Sequence, residues 1–116
     1  MGQALKAKYA VKKGELPNSV EVVGKHYALE LLDMEIAGGD MAGATDVIHQ
    51  VLRIGTNQAF HAERDTVLHE LIHAIDYGNH TGIKEYQIHS MANALLQVLR
   101  RNPELVSYLT KPFPLE

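Results

Sequence analysis

Residues 66–77 read TVLHELIHAIDY, and this stretch sets the architecture of the chain. Its apolar residues recur every three or four positions, which is the spacing of an amphipathic α-helix. His69 and His73 are four residues apart, so on that helix their imidazoles lie one turn apart on the same face. Two neutral imidazoles in this arrangement can bind one zinc ion, and Glu70 can reach a water molecule in an open coordination position.

The surroundings of this His-Glu-x-x-His pattern favour one of two interpretations. The pattern alone is not specific, because three fixed positions recur by chance in many helices. The alternative is a buried amphipathic helix whose histidines are satisfied by hydrogen bonds. His69, His73 and Asp76 share one face of the predicted helix, which favours a metal site, and Gly78 is expected to end the helix in a left-handed cap. The adjoining apolar stripe consists of Leu68, Leu71, Ile72 and Ile75.

The composition indicates a single globular domain. The chain has 116 residues, of which 46% are hydrophobic and 22% are charged, as is ordinary for a soluble domain. The formal net charge of −3 argues against nucleic acid as the main partner. A small basic cluster near the N-terminus is expected to be a solvated surface. It consists of Lys6, Lys8, Lys12 and Lys13.

The residue types that are missing restrict the chemistry and the location. The chain has no cysteine, so a zinc ion must be held by histidines and carboxylates. No apolar run approaches the roughly 20 residues of a membrane span. The N-terminus lacks the apolar core of a signal peptide. We therefore expect a cytoplasmic protein that contacts neither membrane nor nucleic acid.

The first half of the chain is typical of strands separated by turns. Residues 20–23 and 26–32 are predicted strands, the second with Tyr27, Leu29 and Leu31 on one face, although a helical turn would also fit it. Residues 38–43 (GGDMAG) are predicted to be a flexible loop. Residues 46–54 alternate as in a strand that leads towards the active-site helix. Its edge could accept an extended peptide, or it could be an ordinary sheet strand.

The second half is typical of helices. Residues 84–101 carry apolar residues at helical spacing, and Asn102 with Pro103 is a start signal for a short helix over residues 103–109. Residues 111–114 are expected to be an irregular tail. The prediction is an α+β fold in one domain over residues 1–116, with strands and loops in residues 1–61 and helices in residues 62–109.

A catalytic zinc site usually has three protein ligands and an open position, so a third ligand is needed. Glu85 opens the second long helix on the stripe that also carries Ile88, so its carboxylate is aimed at the core and needs a partner. The alternative for Glu85 is a first-turn acid that interacts with the helix dipole. His80 is a second candidate for the ligand. Asp76 is a third, and it would more naturally orient a ligand or line the cleft.

Other polar side chains near the motif have possible supporting roles. His89 lies one turn after Glu85 and could donate a hydrogen bond to a ligand or to the transition state, or could be partly exposed with no catalytic role. Tyr77 and His80 are further candidates for the transition-state donor. The sequence does not choose among these three.

The runs ERDTVLHELIHAIDYG and KEYQIHSMANALLQVLRRNPEL resemble small zincin-like proteins of phages and prophages in the ImmA/IrrE metallopeptidase group. The resemblance covers about residues 46 to 109. It implies a minimal gluzincin-like fold with a small sheet, an active-site helix and a backing helix. It also implies one zinc ion held by His69, His73 and Glu85, with Glu70 as the general base. The spacing to Gly78 and His80 departs from the metzincin pattern.

The resulting functional prediction is a zinc-dependent metalloendopeptidase, encoded by a phage or prophage and active on a protein or peptide in the bacterial cytoplasm. The alternative is a non-catalytic binding or structural protein that retains the zinc site. Glu70 argues against this alternative, because a purely structural zinc site has no use for a general base.

Overall fold

The computed structural model describes residues 16–32, 42–56, 60–112 and 114, and these residues form four strands and three helices. The strands are β1 (Ser19–Val22), β2 (Lys25–Leu32), β3 (Gly43–Asp46) and β4 (Val51–Gly55). The helices are α1 (Phe60–Asn79), α2 (Glu85–Arg101) and α3 (Pro103–Leu109). The predicted α+β class is confirmed, and the helical half begins at residue 60. The N-terminal basic cluster and residues 38–41 of the predicted loop lie outside the described residues.

The strands form one mixed sheet in the order β1-β2-β4-β3. β1 pairs with β2 in antiparallel orientation, β2 pairs with β4 in parallel, and β4 pairs with β3 in antiparallel orientation. β4 is therefore paired on both sides, and β3 is a terminal strand of the described sheet. Gly43, which was predicted to belong to a loop, is the first residue of this strand.

The strand predicted over residues 46–54 is wrong in its first half. Residues 47–50 form a turn, because the Asp46 carboxylate accepts a hydrogen bond from the backbone N–H of His49 at 3.0 Å and contacts its imidazole at 2.9 Å. These contacts lower the pKa of Asp46 to about 2. Gln50 completes the turn with a positive φ of 57°. Because β4 is paired on both sides, the open edge predicted for residues 46–54 is not found along residues 51–54, and the terminal strands of the described sheet are β1 and β3.

A two-residue turn joins β1 to β2 and determines how the sheet meets α1. Val23 and Gly24 have φ values of 49° and 78°, as a tight hairpin turn requires. The turn places the Val23 side chain against Gly78, where an added Cβ would lie 2.9 Å from the Cβ of Val23. Gly78 is thus a close-packing position inside α1, and its predicted role as a left-handed cap is wrong.

The left-handed cap of α1 is formed by His80 instead, with φ of 54°. The backbone N–H of Thr81 donates to the carbonyl of Asp76 at 3.3 Å, and that of His80 donates to the carbonyl of Tyr77 at 3.4 Å. This pair of hydrogen bonds is the Schellman arrangement, which satisfies carbonyls at the end of a helix. The backbone at residue 80 therefore has a structural role.

α1 is packed on two sides. One core cluster joins it to the sheet and contains Val22, Tyr27, Leu52 and Ala74. A second cluster joins it to α2 and contains Ile72, Ile88 and Ala92. The layers are therefore sheet, α1 and α2 in that order. Among the helices that the structure describes, none is long and apolar enough to cross a membrane.

The ends of α2 are closed by side chains. The Gln87 side chain accepts a hydrogen bond from the backbone N–H of Lys84 at 3.0 Å, which fixes the start of the helix. Asn102 was predicted to cap α3, but its side chain donates to the carbonyl of Val98 at 2.9 Å and so closes the end of α2. Pro103 occupies the first turn of α3, as predicted. α3 packs against α2.

Glu63 is fully buried in the first half of α1, and within the described part of the chain neither of its carboxylate oxygens has a hydrogen-bond partner. Burial raises its pKa from 4.5 to about 7, because the charged form loses its hydration. The folded state thus holds a proton that the unfolded state releases at lower pH. The stability that results is fully present below about pH 4.5 and is lost as the pH rises through about 7.

We expect Glu63→Gln to raise the free energy of unfolding at pH 8 by about 2 kcal/mol and to leave it little changed at pH 5. Urea denaturation of wild type and variant at both pH values measures the difference. Glu104→Gln is the matched control, because Glu104 is an exposed acid in the first turn of α3. Parallel pH dependence of wild type and Glu63→Gln would show that the carboxyl is ionised in the fold.

Candidate metal centre

Two successive turns of α1 present His69 and His73 to the start of α2. Their ring centroids are 5.0 Å apart, as the four-residue spacing predicts. The side chain of His69 is 13% exposed and that of His73 is 32% exposed. The two imidazoles are therefore sheltered but can be reached from the adjoining cavity.

Glu85, the first residue of α2, lies across from both imidazoles. Its Oε2 is 2.7 Å from His69 Nε2, and its Oε1 is 2.8 Å from His73 Nε2. Neither His80 nor Asp76 makes this contact. Of the three candidates for the third ligand, the structure thus brings Glu85 to the histidines.

The donor set fits a zinc ion. One ligand atom from each of His69, His73 and Glu85 lies within 4.8 Å of the others. Ligand atoms around a tetrahedral zinc ion with bonds of about 2.0–2.2 Å are separated by roughly 3.4 Å. The His–Glu contacts of 2.7 and 2.8 Å need to widen by about 0.6–0.7 Å to reach this separation, a change within the reach of side-chain rotation.

Asp76 fixes the loop that delivers Glu85. Its Oδ1 accepts hydrogen bonds from the Thr81 hydroxyl at 2.7 Å and from the backbone N–H of Ile83 at 2.9 Å. These hydrogen bonds lower the pKa of Asp76. Ile83 in turn packs against the cluster between α1 and α2. Asp76 therefore positions the start of α2.

The Glu70 side chain points towards β3. It lies on the side of α1 opposite to Ile72, which packs against α2. It is 6% exposed, and its Oε1 accepts a hydrogen bond from the Thr45 hydroxyl at 2.6 Å. The same hydroxyl lies 3.1 Å from the backbone carbonyl of Glu70. The single hydroxyl proton of Thr45 is thus directed at Glu70, with the carboxylate as the nearer of its two acceptors.

These groups share one cavity of about 540 Å³. His69, Glu70, His73 and Glu85 line it, together with His89, whose ring centroid is 6.1 Å from that of His69. The described lining residues also include Ala42, Gly43, Ala44, Thr45, Asp65 and Thr66. The cavity therefore joins the His–Glu cluster to the terminal strand of the sheet.

Tyr77 and His80 lie elsewhere. Their rings are 6.2 Å apart, and Lys25 Nζ lies 5.7 Å from the centroid of the Tyr77 ring, beside the β1–β2 hairpin. Neither belongs to the described lining of the cavity. Of the three predicted transition-state donors, the structure places only His89 at the cavity.

Sequence reasoning missed Thr45 and Asp65. Asp65 precedes His69 by one helical turn, so the spacing that linked the histidines could have identified it. Its Oδ1 is buried, and no hydrogen-bond partner for it is found in the described part of the chain. Thr45 carries no comparable signal, because its contact with Glu70 spans 25 residues and depends on strand pairing.

Gly43 allows β3 to lie directly on α1. A Cβ at this position would be 2.6 Å from Thr66 Cγ2, 2.8 Å from the carbonyl oxygen of Arg53 and 3.2 Å from Glu70 Cγ. The backbone oxygen cannot move without disturbing the pairing of β3 with β4. The glycine therefore sets the separation that puts Thr45 within reach of Glu70.

Comparison of the chain with protein-family models, with curated proteins and with solved structures finds no match. The resemblance to the ImmA/IrrE group therefore stays a prediction, which rests on the residues quoted from the sequence. The case for a metal centre rests on the geometry of the cavity.

We expect the chain to bind about one zinc ion and Glu85→Ala to lower its zinc affinity by more than about 100-fold, since even the loss of a residue behind a ligand costs 10- to 100-fold. His80→Gly is the matched control, because it removes an imidazole while glycine adopts the positive φ of residue 80 readily. Competitive titration against a zinc-sensing dye, on protein without a histidine tag, measures both affinities.

Two outcomes of this titration would contradict the assignment. Wild-type protein that neither takes up zinc nor gains thermal stability from it would remove the metal centre altogether. Loss of zinc in His80→Gly with retention in Glu85→Ala would transfer the third ligand to residue 80.

Proposed function

We propose that this chain is a zinc-dependent metalloendopeptidase with a minimal zincin-like fold, which hydrolyses a peptide bond with Glu70 as the general base. The observation that carries the proposal is the convergence of His69 Nε2, His73 Nε2 and the Glu85 carboxylate at a cavity that also contains the Glu70 carboxyl group. The resemblance of residues 46–109 to the ImmA/IrrE group supports the same assignment.

His69, His73 and Glu85 would hold the metal. Zinc, when bound, supplies a Lewis acid that polarises a carbonyl and lowers the pKa of a coordinated water molecule towards about 7. Both Nε2 atoms and the carboxylate must be free of protons to serve as ligands, so metal binding would displace the hydrogen bond between His73 and Glu85 and the short contact between His69 and Glu85.

Glu70 would move the proton. It would accept a proton from the attacking water and deliver it to the leaving amine. The Thr45 hydroxyl occupies Oε1, so Oε2 is the oxygen that is available for this transfer. Because Glu70 is almost fully buried, the carboxylate has little freedom to leave this position.

His89 is the donor that we assign to the developing oxyanion. It lies at the cavity near His69, on an exposed turn of α2, so its imidazole can approach a bound carbonyl. Tyr77 and His80 lie at the end of α1 beside the β1–β2 hairpin. They do not belong to the described lining of the cavity, so we do not assign this role to them.

β3 would bind the substrate backbone. It is the terminal strand of the described sheet, and Gly43, Ala44 and Thr45 line the same cavity as Glu70. An extended peptide that pairs with this edge would pass beside the histidines, and the main-chain hydrogen bonds would provide affinity without a fixed side-chain sequence. An internal segment of a protein can bind in this way, which is why we propose an endopeptidase.

We expect the zinc-loaded wild-type protein to cleave peptides and Glu70→Gln to retain zinc and fold while hydrolysis falls by about 10² to 10⁴. The substrates are a peptide library prepared from a bacterial proteome, and the new N-termini are counted by mass spectrometry. Glu30→Gln is the matched control, because Glu30 is an exposed acid on β2 that pairs with Arg53 away from the cavity.

The outcomes separate the two functional hypotheses. Zinc binding with no cleavage by the wild-type protein would favour the non-catalytic binding or structural protein over the peptidase. Undiminished turnover by Glu70→Gln would move the general base to another residue.

We further expect Thr45→Val to lower kcat by about 10-fold or more with KM little changed, because valine keeps the shape of threonine but donates no hydrogen bond to Glu70. Thr45→Ser should recover most of kcat, since serine restores the hydroxyl. Steady-state kinetics on one peptide from the library measures both. Equal kcat values for the valine variant and wild type would show that Thr45 does not position the base.

A further inference from the structure

Asp65 is a carboxylate at the cavity that has no role in the chemistry described above. It lies on α1 one helical turn before His69, and both residues line the cavity. Its Oδ1 is buried, and no hydrogen-bond partner for this oxygen is found among the described residues. A buried carboxylate oxygen without a donor costs free energy, so this position needs a compensating contact in the working state of the protein.

His69 has a ring nitrogen that needs an acceptor. Its Nε2 lies 2.7 Å from Glu85 Oε2, so Nε2 is the nitrogen that would bind the metal. A neutral imidazole that binds a metal through Nε2 carries its proton on Nδ1. The side chain of His69 is only 13% exposed, so water has limited access to the ring. An acceptor within the protein would therefore stabilise the form of His69 that can bind the metal.

The geometry of the helix places Asp65 beside this nitrogen. Side chains of an α-helix lean towards its N-terminus, and residues four apart are neighbours on its surface. The His69 ring therefore covers the turn that begins at Asp65. Glu70 and Asp76, the carboxylates that follow His69 on α1, already accept hydrogen bonds from outside the helix. Asp65 is thus the carboxylate that is available to His69.

Asp65 does not belong to the group that can hold the ion. Among the described residues, that group consists of His69, His73 and Glu85, whose ligand atoms lie within 4.8 Å of one another. A carboxylate behind a histidine ligand accepts the proton of the second ring nitrogen, which fixes the tautomer and the ring orientation and makes the ligand more basic. This role needs the placement that Asp65 has.

We infer that Asp65 positions His69 for metal binding by accepting a hydrogen bond from its Nδ1–H. The contact directs the lone pair of Nε2 towards the ion and keeps the other nitrogen protonated. His73 has no such support from its own helix, because the residue one turn before it is His69 itself. The inference rests on the candidate metal centre and does not depend on the peptidase activity.

Zinc affinity gives the first test. We expect Asp65→Leu, which keeps the approximate size of the side chain, to lower zinc affinity by about 10- to 100-fold. Asp65→Asn should recover most of this loss, because its amide oxygen still accepts a hydrogen bond. Glu30→Leu is the matched control for the loss of one negative charge, since Glu30 pairs with Arg53 away from the cavity. Titration with zinc alone, on full-length protein without a histidine tag, measures all four affinities.

NMR of the zinc-loaded protein with ¹⁵N-labelled histidines gives the second test. A proton held in a hydrogen bond to a buried carboxylate exchanges slowly with water, so wild type and Asp65→Asn should show a resonance for His69 Nδ1–H. Asp65→Leu should lose this resonance and keep the signals of His73, which serves as the internal control. A role of Asp65 in helix stability alone would lower the melting temperature and leave the resonance in place.

The outcomes separate this inference from the metal centre on which it rests. Wild-type protein that binds no zinc would overturn both. Zinc binding by wild type with unchanged affinity in Asp65→Leu, or with equal losses in Asp65→Leu and Asp65→Asn, would overturn the role of Asp65 alone. Retention of the Nδ1–H resonance in Asp65→Leu would do the same.

Discussion

The carboxylate of Asp76 determines where the second long helix begins. By accepting hydrogen bonds from the Thr81 hydroxyl and the Ile83 backbone, it holds the short loop between α1 and α2 in one conformation. Ile83 then enters the core between the helices, and Glu85 follows two residues later opposite the histidines. Asp76 thus sets the position of Glu85, the residue of α2 that contacts both histidines.

A second constraint acts from the sheet. β3 approaches α1 at Gly43 more closely than any other residue would permit, and this approach puts the Thr45 hydroxyl on Glu70. The two carboxylates of the cavity are therefore oriented from opposite sides, Glu85 by the loop after α1 and Glu70 by the terminal strand. α1 is packed between the sheet and α2, so the positions of both carboxylates are fixed relative to α1.

The parts of the molecule that follow local rules could be predicted from the sequence. The helical spacing around His69 and His73, the start of α2 at Glu85 and the proline at the start of α3 each depend on neighbours within a few residues. The same kind of reasoning failed at Gly78, whose small size serves contact with a hairpin far earlier in the chain. It failed at residues 47–50, where Asp46 turns the chain back on itself, and it gave no indication of Thr45. The contacts of Gly78 and Thr45 join segments that are distant in the chain, which spacing along the chain does not encode. The Asp46–His49 contact is local, but the alternating pattern of residues 46–54 pointed to a continuous strand instead.

The three side chains that can hold a metal all lie within residues 69–85, in one helix–loop–helix segment. The support for Glu70 comes instead from a strand that precedes this segment and joins it only when the sheet has formed. The three candidate metal ligands therefore depend on one segment, whereas the orientation of the Glu70 carboxyl group also depends on β3. In the proposed peptidase, a sequence change in β3 would alter the orientation of Glu70 and leave the three candidate metal ligands in place, so the strands alone could separate a hydrolase from a binding module that keeps its metal.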